Sequence, residues 1–173
     1  MKPSFVSWKP SMAEAISNTT PLLYLYRIGA LSWLQELFQS VWAPGAVVIE
    51  LEAGRLKGHD VPSLTQYPWI TVLQPKLMPS EWLALDLGKG ELGAMALALE
   101  NPGRTVLLDD ALARRTAQAA GLTVRGTLGL LLDARSRGLI EHIEPWIARL
   151  AEAGMWISAE VRQRILRLAG EAP

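Results

Sequence analysis

Ile16-Ser17-Asn18-Thr19-Thr20-Pro21-Leu22-Leu23 is the stretch from which the fold can be read. A short apolar strand, residues 13–17, runs into the small polar residue Asn18, and Pro21 opens an amphipathic helix over residues 22–28. Proline suits the first turn of a helix because the N–H it lacks has no intrahelical partner there. This order places Asn18 at the carboxyl end of a first strand. In open α/β sheets ligands bind at that edge. Which later residues meet Asn18 there decides the function.

The chain has 173 residues, half of them hydrophobic, enough for one domain with a buried core. Lys plus Arg and Asp plus Glu are both 17, so the formal net charge is zero. There is no overall basic footprint of a nucleic-acid binder, although a neutral total leaves room for a local patch. Cysteine is absent, which excludes disulfide scaffolds, zinc fingers and thiol catalysis and fits a reducing, cytoplasmic setting. His59 and His142 lie far apart in the chain, so a histidine-rich metal site or a Ser-His-Asp triad has little support. No charge-free run reaches the roughly 18 apolar residues of a membrane span. The N-terminus lacks a signal-peptide layout, and no membrane partner is expected.

Residues 1–12 read as a flexible tail, with Met12 as a candidate natural start, and residues 13–170 as one domain. Helical spacing continues over 31–38, a short strand follows at 41–43, and Pro44 opens a third helix through Ala53 that carries Glu50 and ends at Gly54. A loop over 55–63 leads to a strand at 69–73, and Ser80 caps a short helix to Leu87. Leu87-Gly88-Lys89-Gly90-Glu91 is a turn from which Glu91 opens an apolar helix to about Leu99. Strands at 105–108 and 122–125 are each followed by a helix, and Asp109-Asp110 directly follows the first of them. Helices over 144–153 and 158–168 form a C-terminal hairpin. Strands alternating with helices imply a mostly parallel sheet between helical layers.

Asn18, Glu91 and Asp109-Asp110 fall at element ends that such a sheet brings to one edge, and Glu50 is placed to face it. Oxygen-only donors suit hard divalent cations such as Mg²⁺ or Mn²⁺. Carboxylates clustered without a cation repel by roughly 4 kcal/mol per close pair at an effective dielectric of about 20. A metal removes that cost, polarises a phosphate and activates a water for in-line attack. Each residue also has an ordinary role. Asp109 or Asp110 suits a helix cap, Glu91 a helix dipole, Glu50 a solvated face and Asn18 a turn. Gly88-Lys89-Gly90 lacks the spacing of a phosphate-binding P-loop.

The runs at 16–25 (Ile-Ser-Asn-Thr-Thr-Pro-Leu-Leu-Tyr-Leu), 44–51 (Pro-Gly-Ala-Val-Val-Ile-Glu-Leu), 88–98 (Gly-Lys-Gly-Glu-Leu-Gly-Ala-Met-Ala-Leu-Ala), 106–114 (Val-Leu-Leu-Asp-Asp-Ala-Leu-Ala-Arg) and 121–131 (Gly-Leu-Thr-Val-Arg-Gly-Thr-Leu-Gly-Leu-Leu) together resemble the PIN-domain superfamily. The nearest likeness is to a VapC-like branch of otherwise unknown function. The resemblance implies a three-layer α/β/α fold and a Mg²⁺- or Mn²⁺-dependent endoribonuclease. Many relatives are toxins held by an antitoxin. It makes Glu50, Glu91 and Asp110 the second, third and fourth acids, with Asp109 beside the last. The first acid's place falls on Asn18, where aspartate is usual. Asparagine offers a carbonyl oxygen but no charge. Thr20 is a candidate for orienting a water or ligand, and Lys89, Arg104, Arg114 and Arg115 are candidates for the RNA backbone. Two other readings stand beside the nuclease. One is a degenerate domain that binds RNA or a protein without cleaving. The other is an interaction module whose acids are caps and whose C-terminal helices complete the core, form a homodimer or receive an antitoxin.

Overall fold

The computed structural model describes residues 12–172, so the expected tail lies outside them apart from Met12. Five strands, β1 (Ala15–Ser17), β2 (Val41–Pro44), β3 (Ile70–Leu73), β4 (Thr105–Leu107) and β5 (Val124–Arg125), make one sheet in the order β3-β2-β1-β4-β5. Every neighbouring pair is parallel. The chain winds outward from β1 to β3, then returns to lay β4 against the other side of β1. The β1/β4 junction is therefore the point where the winding reverses, and a crevice opens beyond the strand ends there. The Asn18 N–H donates to the Leu107 carbonyl (3.1 Å), which fixes Asn18 beside the end of β4.

Eight α-helices are described: α1 (Thr19–Arg27), α2 (Trp33–Leu37), α3 (Gly45–Leu56), α4 (Lys89–Glu100), α5 (Ala111–Ala119), α6 (Thr127–Ser136), α7 (Glu144–Glu152) and α8 (Ala159–Leu168). They form two layers because side chains alternate across a strand. Ala15 and Leu107 enter one core with Leu22, Leu34, Val47, Leu130 and Ile147. Ile16 and Val106 enter the other with Met95, Leu97, Leu108, Ala113 and Trp82. The result is the expected three-layer α/β/α arrangement with a parallel sheet and a C-terminal helical hairpin. Gly154 takes a left-handed turn in that hairpin (φ +104°), and Ser158 caps α8 by accepting from the Val161 N–H at 3.1 Å.

Several boundaries differ from the sequence reading. α1 starts at Thr19, so Pro21 is its third residue rather than its first. α3 runs through Gly54 to Leu56. The expected helix after Ser80 is one 3-10 turn, Ser80–Ala84, preceded by Pro79 rather than capped by Ser80. Among the described residues, no helix is long and apolar enough to cross a membrane.

α4 carries the densest packing, with every residue from Leu92 to Ala98 buried. Gly93 lets it lie against the end of β2, since a Cβ there would stand 2.9 Å from the Pro44 Cβ. A pyrrolidine ring cannot swing aside. Gly93→Ala is therefore expected to cost about 1–3 kcal/mol by overpacking. The melting temperature read by circular dichroism should fall by roughly 2–4 °C per kcal/mol. An unchanged melting curve would mean that this contact does not seat the helix.

Candidate functional site

Asn18 occupies the N-cap position of α1 in extended backbone geometry, yet its side chain caps nothing. An N-cap oxygen usually accepts from the second or third helical N–H. Here the third residue is Pro21, which has no N–H to give. The Asn18 side chain is instead turned into the crevice. It is 3 % exposed, and its Oδ1 is buried without a hydrogen-bond partner.

Glu50, in the second turn of α3, stands opposite and is held from two sides. The Thr19 hydroxyl donates to its Oε2, and the Gly90 N–H donates to its Oε1 at 2.7 Å. Gly90 makes this approach feasible. A Cβ on it would stand 2.5 Å from Glu50 Oε2 and 2.7 Å from Asn18 Oδ1. The Asn18 and Glu50 side chains thus converge over a residue without a side chain, and Asn18 Oδ1 has no hydrogen-bond partner. Thr20, the expected orienting hydroxyl, is not the one that meets the acids. With α1 beginning at Thr19, the first helical side chain leans back towards α3.

Glu91 reaches back to accept from the Gly88 N–H (2.9 Å), a capping arrangement at the start of α4. Burial pushes its carboxyl above the ordinary range of about 4.5, the Gly88 N–H opposes this, and the negative charges of Asp110, Glu50 and Asp86 add to the rise. Asp86 is a fourth acid in this field that the sequence reading missed. Asp110 is exposed and caps α5 by accepting from the Ala113 N–H at 2.8 Å.

Asp109 points the other way, because neighbouring residues leaving a strand face opposite sides. Its Oδ1 accepts from the Thr127 N–H and its Oδ2 from the Thr127 hydroxyl, both at 2.7 Å. Asp109 is thereby turned to the start of α6 while Asp110 caps α5, so the two do not act side by side as the sequence reading expected. Burial raises the Asp109 carboxyl, while the Thr127 bonds and the charge of Arg114 act against it.

The basic candidates separate as well. Arg104 precedes β4 and so lies at the opposite edge of the sheet. It is buried over the Trp42 ring (3.3 Å), pairs with Glu14 (3.2 Å) and donates to Ser40 Oγ at 3.0 Å. That corrects its assignment to the RNA backbone. Lys89 is exposed at the start of α4, Arg115 is exposed on α5, and Arg114 is half-buried beside Asp109. His59 and His142 are both exposed and have no part here.

The donor chemistry fits a hard divalent cation, since every candidate is an oxygen and Asn18 Oδ1 has no other partner. Among the described residues, no three acids converge tightly enough to form one inner coordination sphere. Mg²⁺ tolerates this because it dehydrates reluctantly and keeps several waters between itself and its carboxylates.

The architecture and the site together define a three-layer α/β/α protein with an acidic, oxygen-only crevice at the switch point of its sheet. Residues 14–171 match the family model of the PIN domain, and the chain belongs to that family. This is a nuclease-type fold associated with nucleic-acid binding. No curated protein and no solved structure gives a significant match.

Two outcomes follow from this electrostatic layout. The Glu91 carboxyl binds its proton more readily in the folded than in the unfolded chain. Its contribution to stability therefore falls as pH rises from the ordinary carboxylate range through its raised value. Glu91→Gln keeps the acceptor for Gly88 and removes the charge. Without divalent cations it should melt above wild type at neutral pH, with the gap closing near pH 4; no gap at neutral pH would contradict the charge crowding. Asp109→Ala should lose roughly 2–4 kcal/mol by leaving Thr127 buried and unpaired, read from urea unfolding. Near-wild-type stability would return Asp109 to the list of free acids.

Proposed function

We propose that the protein is a Mg²⁺- or Mn²⁺-dependent endoribonuclease. The observation that carries this reading is the Asn18 carbonyl oxygen, buried and unpartnered opposite the clamped carboxylate of Glu50. A buried acceptor facing a carboxylate gains most when a cation settles nearby. Asn18, Glu50, Glu91 and Asp110 would hold the ion, and Glu50, Glu91 and Asp110 supply its negative charge. When bound, the cation supplies Lewis acidity towards a phosphodiester and lowers the pKa of a water.

The chain's own part is positioning. Thr19 and Gly90 fix both oxygens of Glu50. The Gly88 N–H holds one oxygen of Glu91 and leaves the other free. The Ala113 N–H does the same for Asp110. Asp109 stays out of the cation sphere and ties α6 to the end of β4. Asn18 makes the site less negative by one charge than an aspartate would, so cation affinity is lower. In this reading the substrate is RNA, and the setting in which many relatives work, a toxin restrained by an antitoxin, fits a nuclease that must be kept in check. A second reading, a PIN domain that binds RNA or a protein without cleaving it, is favoured by the same neutral Asn18.

The two readings part in a cleavage assay with a fluorescent single-stranded RNA and Mn²⁺. Wild type should cleave slowly, Glu91→Gln should lose about 100-fold or more, and Asn18→Asp should gain about tenfold. A silent wild type with an active Asn18→Asp would establish the second reading. Silence from both would end the enzymatic one.

A further inference from the structure

Beside the acids, α5, α6 and α8 enclose a groove of about 340 Å³ that the reading above does not use. Leu128, Leu132 and Ile165 line it as an apolar floor, with Arg114 and Arg164 among the polar lining. No carboxylate lines it, and Arg125, also in its wall, is already paired with Asp133 at 2.7 Å. Among the described residues, neither Arg114 nor Arg164 forms a salt bridge.

Arg114 lies against the backbone of residue 126, so close that a Cβ there would push its guanidinium aside. The same Cβ position is 3.2 Å from Asp109 Oδ1. The groove therefore begins at the residue before Thr127, to which Asp109 is tied, and Asp110 stands next in the chain. Arg114 stands one turn beyond Asp110 on α5, its N–H donating to the Asp110 carbonyl at 2.9 Å, so the first guanidinium of the groove is carried on the helix that Asp110 caps.

We propose that this groove seats a single-stranded nucleic acid next to the acid crevice, with backbone phosphates on Arg114 and Arg164 and an unpaired base on the Leu128–Leu132–Ile165 floor. The charge is complementary, with guanidinium groups and no acid in the lining. The aliphatic floor accommodates the apolar face of an unpaired base beside the guanidinium groups, a face that an A-form duplex does not present. Gly126 acts by positioning the Arg114 guanidinium. The proposal rests on the nucleic-acid reading of the site but not on its cation.

The test is fluorescence anisotropy with a labelled, unstructured single-stranded RNA in EDTA over a range of KCl concentrations. With no divalent cation present, failure of the acids to bind a metal cannot affect the result. Arg114→Ala and Arg164→Ala should each weaken binding several-fold at low salt and reduce the log–log salt slope by about 0.7. Gly126→Ala keeps every charge and displaces the guanidinium, and it should weaken binding too. Arg137→Ala, past the far end of α6, should change neither affinity nor slope. Should Arg114→Ala melt early because Asp109 loses its cationic neighbour, Arg164→Ala carries the same test. Unchanged binding by both arginine variants, or an equal loss in Arg137→Ala, overturns the proposal. Equally tight duplex binding with the same arginine dependence also overturns it. A polyglutamate peptide that binds as tightly as RNA through the same arginines would assign the groove to a protein partner instead.

Discussion

The carboxylate of Glu50 is held between the Thr19 hydroxyl and the Gly90 N–H, and three helices depend on that grip. Thr19 belongs to α1, Glu50 to α3 and Gly90 to α4. One side chain thus fixes how the starts of two helices meet the second turn of a third. It does so at the edge where β1 and β4 end. A charged hydrogen bond in a partly buried place is stronger than a neutral one, so the junction is held firmly. The cost is a concentration of negative charge: burial and the neighbouring acids Asp110, Glu50 and Asp86 drive the Glu91 carboxyl upward, and Asn18 Oδ1 is left without a donor. Perturbed carboxylates of this kind gather where charge is crowded at a cleft.

The two edges of the sheet are built on opposite principles. At the amino edge, Arg104 is satisfied on every side by Trp42, Glu14 and Ser40. At the carboxyl edge, Glu91 and Asp110 are each held on one oxygen, and Glu50 is held on both. Asp109 and Asp110 divide the work between them. One is consumed in tying α6 to β4, and the other caps α5 from an exposed position. The tie holds Gly126 near Asp109, with the Arg114 guanidinium close beside it.

Much of this was legible in the sequence. Short apolar strands followed directly by Asn18 and Asp109 named the strands that form the crevice, and the glycine turn before Glu91 named the helix facing them. Helix phase was harder. Pro21 suggests a first-turn residue, and only the three-dimensional N-cap at Asn18 makes it the third, which moves the useful hydroxyl from Thr20 to Thr19. Neighbouring acids at a strand end look alike in sequence although their side chains diverge. Arg104 follows a turn and directly precedes β4, which sets it at the amino edge rather than beside the acids. The roles of Gly90 and Gly126 depend on side chains approaching from distant elements, which no local pattern records. Asp86 stands five residues before Glu91, and an acid at that offset carries no helical or strand signal.

The central claim is the proposal that Asn18 Oδ1 and the Glu50 carboxylate, brought together over Gly90, take part in holding a cation. Calorimetric titration of Mn²⁺ into wild type, Asn18→Ala and Gly90→Ala tests it most directly. The account expects binding by wild type and a loss of about tenfold or more in affinity in each variant, with Gly90→Ala impaired although it removes no ligand. Binding of equal strength in all three, or none in wild type, would contradict it.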